Sequence, residues 1–232
     1  MEYLYETHMH TSESSICGRN SAIAQVRAYK DRGYTGIIIT DHYLHSWWKH
    51  VPLPWRLKVR HMAAGYRAAK KEGQRLGLDV FFGWEFTDKG SDFLTYGLDV
   101  QFLIDNPYLN GLPIEDYSGI VRRAGGYLAQ AHPHRDKHWI ERKGPVDPGL
   151  IDGVEVFNGL DPKPANEKTF AFAKAHNLPM QAGSDSHGIN IKFSSGIKLK
   201  KRAESIFDII SAIKNREAQL ILPVDYNQNP SL

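Results

Sequence analysis

Residues 35–42 read TGIIITDH, a short, β-branched apolar run that ends on an aspartate and a histidine. Such a run predicts a strand over 35–40 buried on both faces, as in a parallel sheet covered by helices. His42 then stands just past the strand's carboxyl end. The pattern recurs along the chain. His8 and His10 follow YLYET (3–7), Glu85 follows LDVFFGW (78–84), His132 follows GYLAQA (126–131), and Asp185 with His187 follow LPMQAGS (178–184). Strands running in parallel would deliver all seven of these ligand-type side chains to one rim, the place where a barrel of parallel strands builds its site. Imidazoles with two carboxylates and no cysteine cluster favour zinc, iron or manganese over a structural thiolate site.

Between these runs the sequence alternates strand-like and helix-like segments. A strand is expected over 2–8, and Ser21 caps a helix over 22–32 that ends at Gly33. Strong helix formers fill 56–76 up to Gly77, and strands follow at 79–84 and 93–98. The second half adds a helix at 115–124, strands at 126–131 and 152–157, a helix at 164–176 and a strand at 178–182. SSGIKLK (194–200) reads as a further strand, and 204–215 as an amphipathic helix with Ile206, Ile209, Ile210 and Ile213 at helical spacing. A βα alternation with short connections implies right-handed crossovers and a barrel or an open doubly wound sheet. Ligands from nearly every strand favour the barrel, because an open sheet gathers its site at one switch point. No linker or internal repeat divides the chain, so 1–232 is expected to be a single α/β domain.

Bulk properties agree with this. The formal charge of +3, with no block of like charges, gives no strong nucleic-acid signal, although it suits an anionic substrate. No apolar run reaches the roughly 18 residues of a membrane span, and no secretory signal is visible. One cysteine, Cys17, excludes an intrachain disulfide and points to a reducing compartment, so the cytoplasm is expected.

Two motifs pair their ligands. His8-Met9-His10 and Asp185-Ser186-His187 each hold donors at i and i+2, which point to the same side at a strand end. The glycines at 183 and 188 let the backbone approach the second pair closely. In order, ETHMHTSESS (6–15), GIIITDH (36–42), FFGWE (81–85), QAHPH (130–134) and AGSDSHG (182–188) resemble the successive motifs of the PHP domain, the polymerase and histidinol phosphatase superfamily. The resemblance spans Glu6 to Gly188. It implies a distorted (β/α)7 TIM-like barrel, with one to three divalent ions (zinc, manganese or iron) at the C-terminal ends of the strands, and phosphoester hydrolysis. It also implies that His8, His10, Glu85 and Asp185 form a first metal site. Glu85 would bridge to a second ion that His132 helps hold, and His42 with His187 would hold a third.

Two positions depart from that pattern. Where the superfamily has an Asp or His shortly after its first motif, this chain has Ser15 and Ile16. Where it has a His on the strand after the bridging Glu, the expected equivalent is Leu94. Glu13, Cys17 or a histidine from 43–61 would substitute, or water and substrate oxygen would fill the open positions.

The resemblance implies a metal-dependent phosphoesterase in which metal-activated hydroxide attacks phosphorus in a small phosphorylated metabolite or nucleotide. Asp185, His187 or a loop histidine would move the proton. Arg135 would hold phosphate bidentately or form an ordinary ion pair. The alternatives are a non-hydrolytic metal-binding regulatory module, a histidinol-phosphate phosphatase, and a related barrel hydrolase acting on C–N bonds. Beyond the ligands, Glu155 and Asn158 are expected to make contacts behind the site, and His134 is a weaker ligand candidate than His132. The segment Tyr43 to Trp55, with His45, Trp47, Trp48, Lys49 and His50, reads as a rim loop that covers the cleft or packs on the barrel. Cys17 is structural, metal-ligating or redox-active. His61, His138 and His176 carry no signal.

Overall fold

The computed structural model describes residues 2–43, 51–191, 194–223 and 226. Its centre is one mixed sheet of nine strands: β1 (Tyr3–Glu6), β2 (Gly36–Ile39), β3 (Asp79–Asp88), β4 (Ser91–Tyr96), β5 (Tyr127–Gln130), β6 (Gly153–Asn158), β7 (Met180–Gly183), β8 (Gly196–Leu199) and β9 (Gln219–Ile221). In space the order is β7-β6-β5-β4-β3-β2-β1-β8-β9. The two ends of the sheet approach one another where β7 nears β8 and β9, so the sheet is a nearly closed barrel. Beyond the strands, a parallel bridge between Met9 and Ser186 joins β1 to β7 at the rim.

Four of the eight neighbouring pairs, β1–β2, β2–β3, β5–β6 and β6–β7, are parallel, as the β-branched runs predict. The exceptions are β4, antiparallel to both β3 and β5, and β8, antiparallel to β1 and β9. The cause at β4 is local. Lys89 and Gly90 both take positive φ (51° and 75°), and two such residues between strands make the tight hairpin turn that matches strand twist. β3 therefore runs on to Asp88, and Glu85 lies within a strand rather than past its end.

Among the described residues seven α-helices cover the barrel: α1 (Ala22–Asp31), α2 (Trp55–Met62), α3 (Ala64–Leu76), α4 (Val100–Asp105), α5 (Ile114–Arg123), α6 (Lys163–Ala175) and α7 (Ile206–Lys214). Ser21 caps α1 by accepting from the amide of Ala24, and left-handed Gly77 closes α3. The single helix expected over 56–76 is two, broken at Ala63. There α3 meets the segment after β1. A side chain at Gly65 would collide with Thr11 and Asp41, and the Gly65 amide donates to Ser14 Oγ at 2.9 Å. α4 and β9 are elements that the sequence patterns did not predict.

Apolar burial drives the assembly. Phe86 and Tyr117 stack with centroids 3.7 Å apart, and the Tyr117 hydroxyl accepts from Trp84 Nε1 at 2.7 Å, so this buried indole N–H is satisfied. Tyr5, Ile38, Leu94, Tyr96 and Ala129 pack with Ile209 and Ile213 of α7. Leu94 thus belongs to an apolar cluster below the rim.

Candidate metal centre

Two strand-end motifs are locked together by one buried acid. Glu6, the last residue of β1, accepts through Oε1 from the amides of Thr7 (2.9 Å), His8 (2.9 Å) and Ser184 (3.0 Å). Its Oε2 accepts from the Tyr29 hydroxyl at 2.8 Å. Burial pushes this carboxyl up to about 7. The backbone of His10 donates to the Ser186 carbonyl at 2.8 Å, so the two paired-ligand motifs lie side by side.

The side chains of the expected first site converge. His8 Nε2 lies 3.1 Å from Glu85 Oε1, 3.5 Å from Asp185 Oδ1 and 3.2 Å from His10 Nε2. His10 Nε2 is 3.2 Å from Asp185 Oδ1 and 3.5 Å from Glu85 Oε2. All four residues are at most 2% exposed. The ring nitrogens on the far side are oriented: His8 Nδ1 donates to Glu155 at 2.9 Å, and His10 Nδ1 faces Ser15 Oγ at 3.4 Å. A carboxylate behind an imidazole fixes its tautomer and raises its basicity, as in metal sites generally. The donor set therefore fits a divalent cation. His132 and Asp185 have φ of 31° and 51°, a region costly for residues other than glycine and tolerated mainly where function requires it.

The charges are strongly coupled. Burial opposes protonation of His8, yet Glu155, Asp185 and Glu85 together hold it well above the ordinary imidazole range. Burial and neighbouring His42 instead push His10 down to about 3. Burial would favour the neutral acid at Asp185 and Glu85, but the surrounding imidazoles, with Arg135 at Asp185, hold both carboxyls well below their usual range.

Beside this group His132 Nε2 lies 3.4 Å from Glu85 Oε1. The sequence reading missed its neighbour Asp92, whose Oδ2 is 3.8 Å from His132 Nε2. Asp92, His42 and Glu85 form one potential ligand group. Glu85 pairs with Leu94 and Thr87 with Asp92, so Asp92 and Leu94 share a face of β4. Leu94 fills the core, and Asp92, two residues nearer the rim, faces the ions' expected place.

On the other side, His42 Nδ1 lies 2.9 Å from Glu85 Oε2, and His187 Nδ1 donates to the Asp185 carbonyl at 2.8 Å. Cys17 joins them: His10, Cys17, His42 and His187 form another group of ligand atoms within 4.8 Å of one another. Burial raises the Cys17 thiol, but hydrogen bonds with His187 and His42 outweigh it and bring the thiol down to about 7.

Several expected roles change. Ser15 donates to Asp41 Oδ1 at 2.7 Å and accepts from the His42 amide at 3.1 Å, so it braces the segment that carries His42. Glu13 is not a substitute ligand, because both its oxygens accept the Ala22 amide at the start of α1. Arg135 is committed to protein carboxylates: Nε donates to Asp161 at 2.6 Å and Nη2 to Asp185 at 2.8 Å, with Asn158 at 2.9 Å. Its expected phosphate contact would compete with these bonds, so the ion-pair alternative is the one realised. His134 turns to Thr169 at 2.9 Å. Trp55 packs on the scaffold and donates to the Leu103 carbonyl at 2.9 Å. His45, Trp47, Trp48, Lys49 and His50 lie outside the described residues.

A cleft of about 630 Å³ opens beside this centre, lined by Ile16, Cys17, Arg19, Leu160, His187 and Asn190 among others. A larger one, about 740 Å³, lies among Tyr66, Phe81, Leu98 and Phe207 and contains none of the ligand groups. No helix among the described residues is long and apolar enough to cross a membrane.

No protein-family model and no curated protein matches this sequence. Solved structures do. A two-domain protein from Bacteroides vulgatus containing a predicted PHP-like metal-dependent phosphoesterase aligns with TM-score 0.70 at 19% identity, over 96% of this chain and 65% of that one. This chain thus spans about two thirds of that protein's length. A metal-dependent phosphoesterase candidate from Bifidobacterium adolescentis aligns with TM-score 0.59 at 16% identity, over 93% and 96% of the two chains. The lesion-specific endonuclease EndoQ of Pyrococcus furiosus gives TM-score 0.58 at 16% identity, over 96% of this chain and 58% of its own. The chain has the fold of PHP-like proteins.

Proposed function

We propose that this protein is a metal-dependent phosphoesterase acting on a small phosphorylated metabolite or nucleotide. The observation that carries the reading is the convergence of His8, His10, Glu85 and Asp185, from β3 and from the segments after β1 and β7, on one buried point. The parallel strands β1–β3 and β5–β7 support reading the barrel as a distorted (β/α)7 domain, and its single cysteine supports a cytoplasmic setting.

His8, His10, Glu85 and Asp185 would hold the first ion, Glu85, His132 and Asp92 a second, and His42 with His187 a third. Zinc, manganese and iron suit these donors. When bound, such ions neutralise phosphoryl charge and acidify water. The chain's own residues do the rest. Arg135 and Asn158 grip Asp185 Oδ2 and fix that carboxylate towards His8 and His10. Glu155 orients His8 and also accepts from the His132 amide at 3.2 Å. His187, partly exposed on the cleft side, has its Nδ1 tied to the Asp185 carbonyl, which leaves Nε2 to hold the third ion or, without that ion, to give or take a proton.

The cleft volume suits a small ligand. Exposed Arg19 on its wall has no side-chain partner among the described residues and is the cation we assign to the substrate's phosphate. Asp92 and Cys17, standing near the positions vacated at Leu94 and Ser15, weaken the case for a non-hydrolytic module.

The test is hydrolysis of p-nitrophenyl phosphate and of its bis-ester, with manganese or zinc, by wild type and Asp185→Asn. Turnover of either ester that falls at least about 100-fold in the variant is expected. Activity unaffected by the substitution, or confined to an amide substrate, would overturn the proposal.

A further inference from the structure

Cys17 is the only soft donor in the rim cluster, and both imidazoles nearest it are already turned towards it. His42 Nδ1 is occupied by Glu85 at 2.9 Å, and His187 Nδ1 by the Asp185 carbonyl at 2.8 Å. Both residues also form hydrogen bonds with Cys17. An imidazole whose Nδ1 carries the bonded proton presents a lone pair at Nε2. His10, the fourth member of the group, directs its Nε2 at Asp185 and belongs to the first site.

The loop carrying Cys17 is pinned. The Gly18 amide donates to the Ser15 carbonyl at 2.9 Å and the Arg19 amide to the His187 carbonyl at 2.6 Å. A side chain at Gly18 would strike the Thr11 backbone, so the loop folds tightly under the cluster. Cys17 is half-buried, lines the cleft beside His187, and has no second cysteine with which to pair.

We propose that Cys17 is a thiolate ligand of a third metal ion, held with His42 and His187, and that it takes the place the resemblance expects an Asp or His to fill near Ser15. This rests on the metal-dependent reading above and adds the class of the ion. Two imidazoles and a thiolate select zinc, cobalt or ferrous iron over manganese or magnesium. Three protein donors leave a fourth position open to the cleft, as in catalytic rather than structural sites. On binding, the thiol proton passes to solvent and the sulfur lone pair goes to the metal.

The full-length protein, stripped of metal and titrated with cobalt(II), reads this directly. Wild type is expected to show sulfur-to-cobalt charge-transfer absorption in the near ultraviolet. Cys17→Ser should lose that band and bind one cobalt fewer, with third-site affinity down at least about 100-fold, while the first site stays loaded. Cys17→Asp should restore the ion count without the band and shift the zinc-over-manganese preference towards manganese. Cobalt bound to wild type with no thiolate band overturns the Cys17 assignment and leaves the metal-dependent reading standing. A band and ion count unchanged in Cys17→Ser do the same. Wild type that binds no cobalt overturns both.

Discussion

Removing the carboxylate of Glu6 should unfasten the site without touching a ligand. Its Oε1 collects three buried amides, those of Thr7, His8 and Ser184, at 2.9, 2.9 and 3.0 Å. Glu6→Ala leaves all three without that acceptor. A buried polar group left unpaired costs about 1–3 kcal/mol. Here the low end applies to each, because the three donors share one oxygen and a water can enter the polar space left behind. The sum is a loss of about 3–5 kcal/mol, a large part of the roughly 5–15 kcal/mol that holds a domain together. Glu6→Gln keeps one oxygen for the amides. Its new NH₂ faces the Tyr29 hydroxyl, which can accept from it and donate to Ser184 Oγ at 2.7 Å. The sign with pH follows from burial, which lifts this acid from 4.5 to about 7. A raised acid is favoured in its protonated form in the folded chain, so wild-type stability falls as pH rises from 4.5 through 7. Glu6→Gln lacks that slope and should gain on wild type above pH 7. Urea unfolding at pH 6 and pH 8, with zinc content measured on each variant, tests this. Alanine and glutamine variants of equal stability, or an alanine variant within about 1 kcal/mol of wild type, would refute the account.

Two further outcomes are expected. Glu155→Ala frees His8 Nδ1 and the His132 amide, and first-site zinc affinity, measured against a competing chelator, should fall about 10–100-fold; unchanged affinity would remove Glu155 from the site. Glu72 of α3 binds Arg75 and Arg27 of α1, and these cations hold its carboxyl at about 2. The stability it adds is present above its ordinary pKa of 4.5 and lost as pH falls through about 2, so Glu72→Gln should lower the melting temperature at pH 7 and match wild type near pH 2. A gap that persists at pH 2 counts against the ion pairs.

What could be read from the chain depended on strand direction. In a strand parallel to the barrel's majority, the rim residue follows the apolar run, and this order exposed His8, His42, His132 and Asp185. In β4 the direction is reversed, so the rim residue precedes the run: Asp92 comes before Phe93 and Leu94. A search past the ends of strands cannot find it. The cue was present in Asp88-Lys89-Gly90-Ser91, a turn sequence that would have moved the strand from 93–98 to 91–96. Glu6 escaped for another reason. Its partners are backbone amides, two of them its own next neighbours, and no periodicity of side chains marks such a contact. The tight approach of α3 at Gly65 likewise has no signature beyond one glycine in a helical stretch.

The two vacancies therefore have different meanings. At Leu94 the strand register keeps the position apolar because it points into the core with Ala129 and Ile209. A donor two residues earlier on the same face serves the rim instead. Exchanging an expected imidazole for the Asp92 carboxylate adds one negative charge beside Glu85, and burial with that neighbour already raises the Asp92 carboxyl. A divalent ion there would relieve the repulsion, so cation binding and the geometry of β4 favour one another. On the opposite side, Ser15 braces His10 and His42 and leaves the donor position to Cys17. Under the proposed ligand assignment, hard and soft donors would flank the first site, and the two outer positions would sort different ions rather than share one.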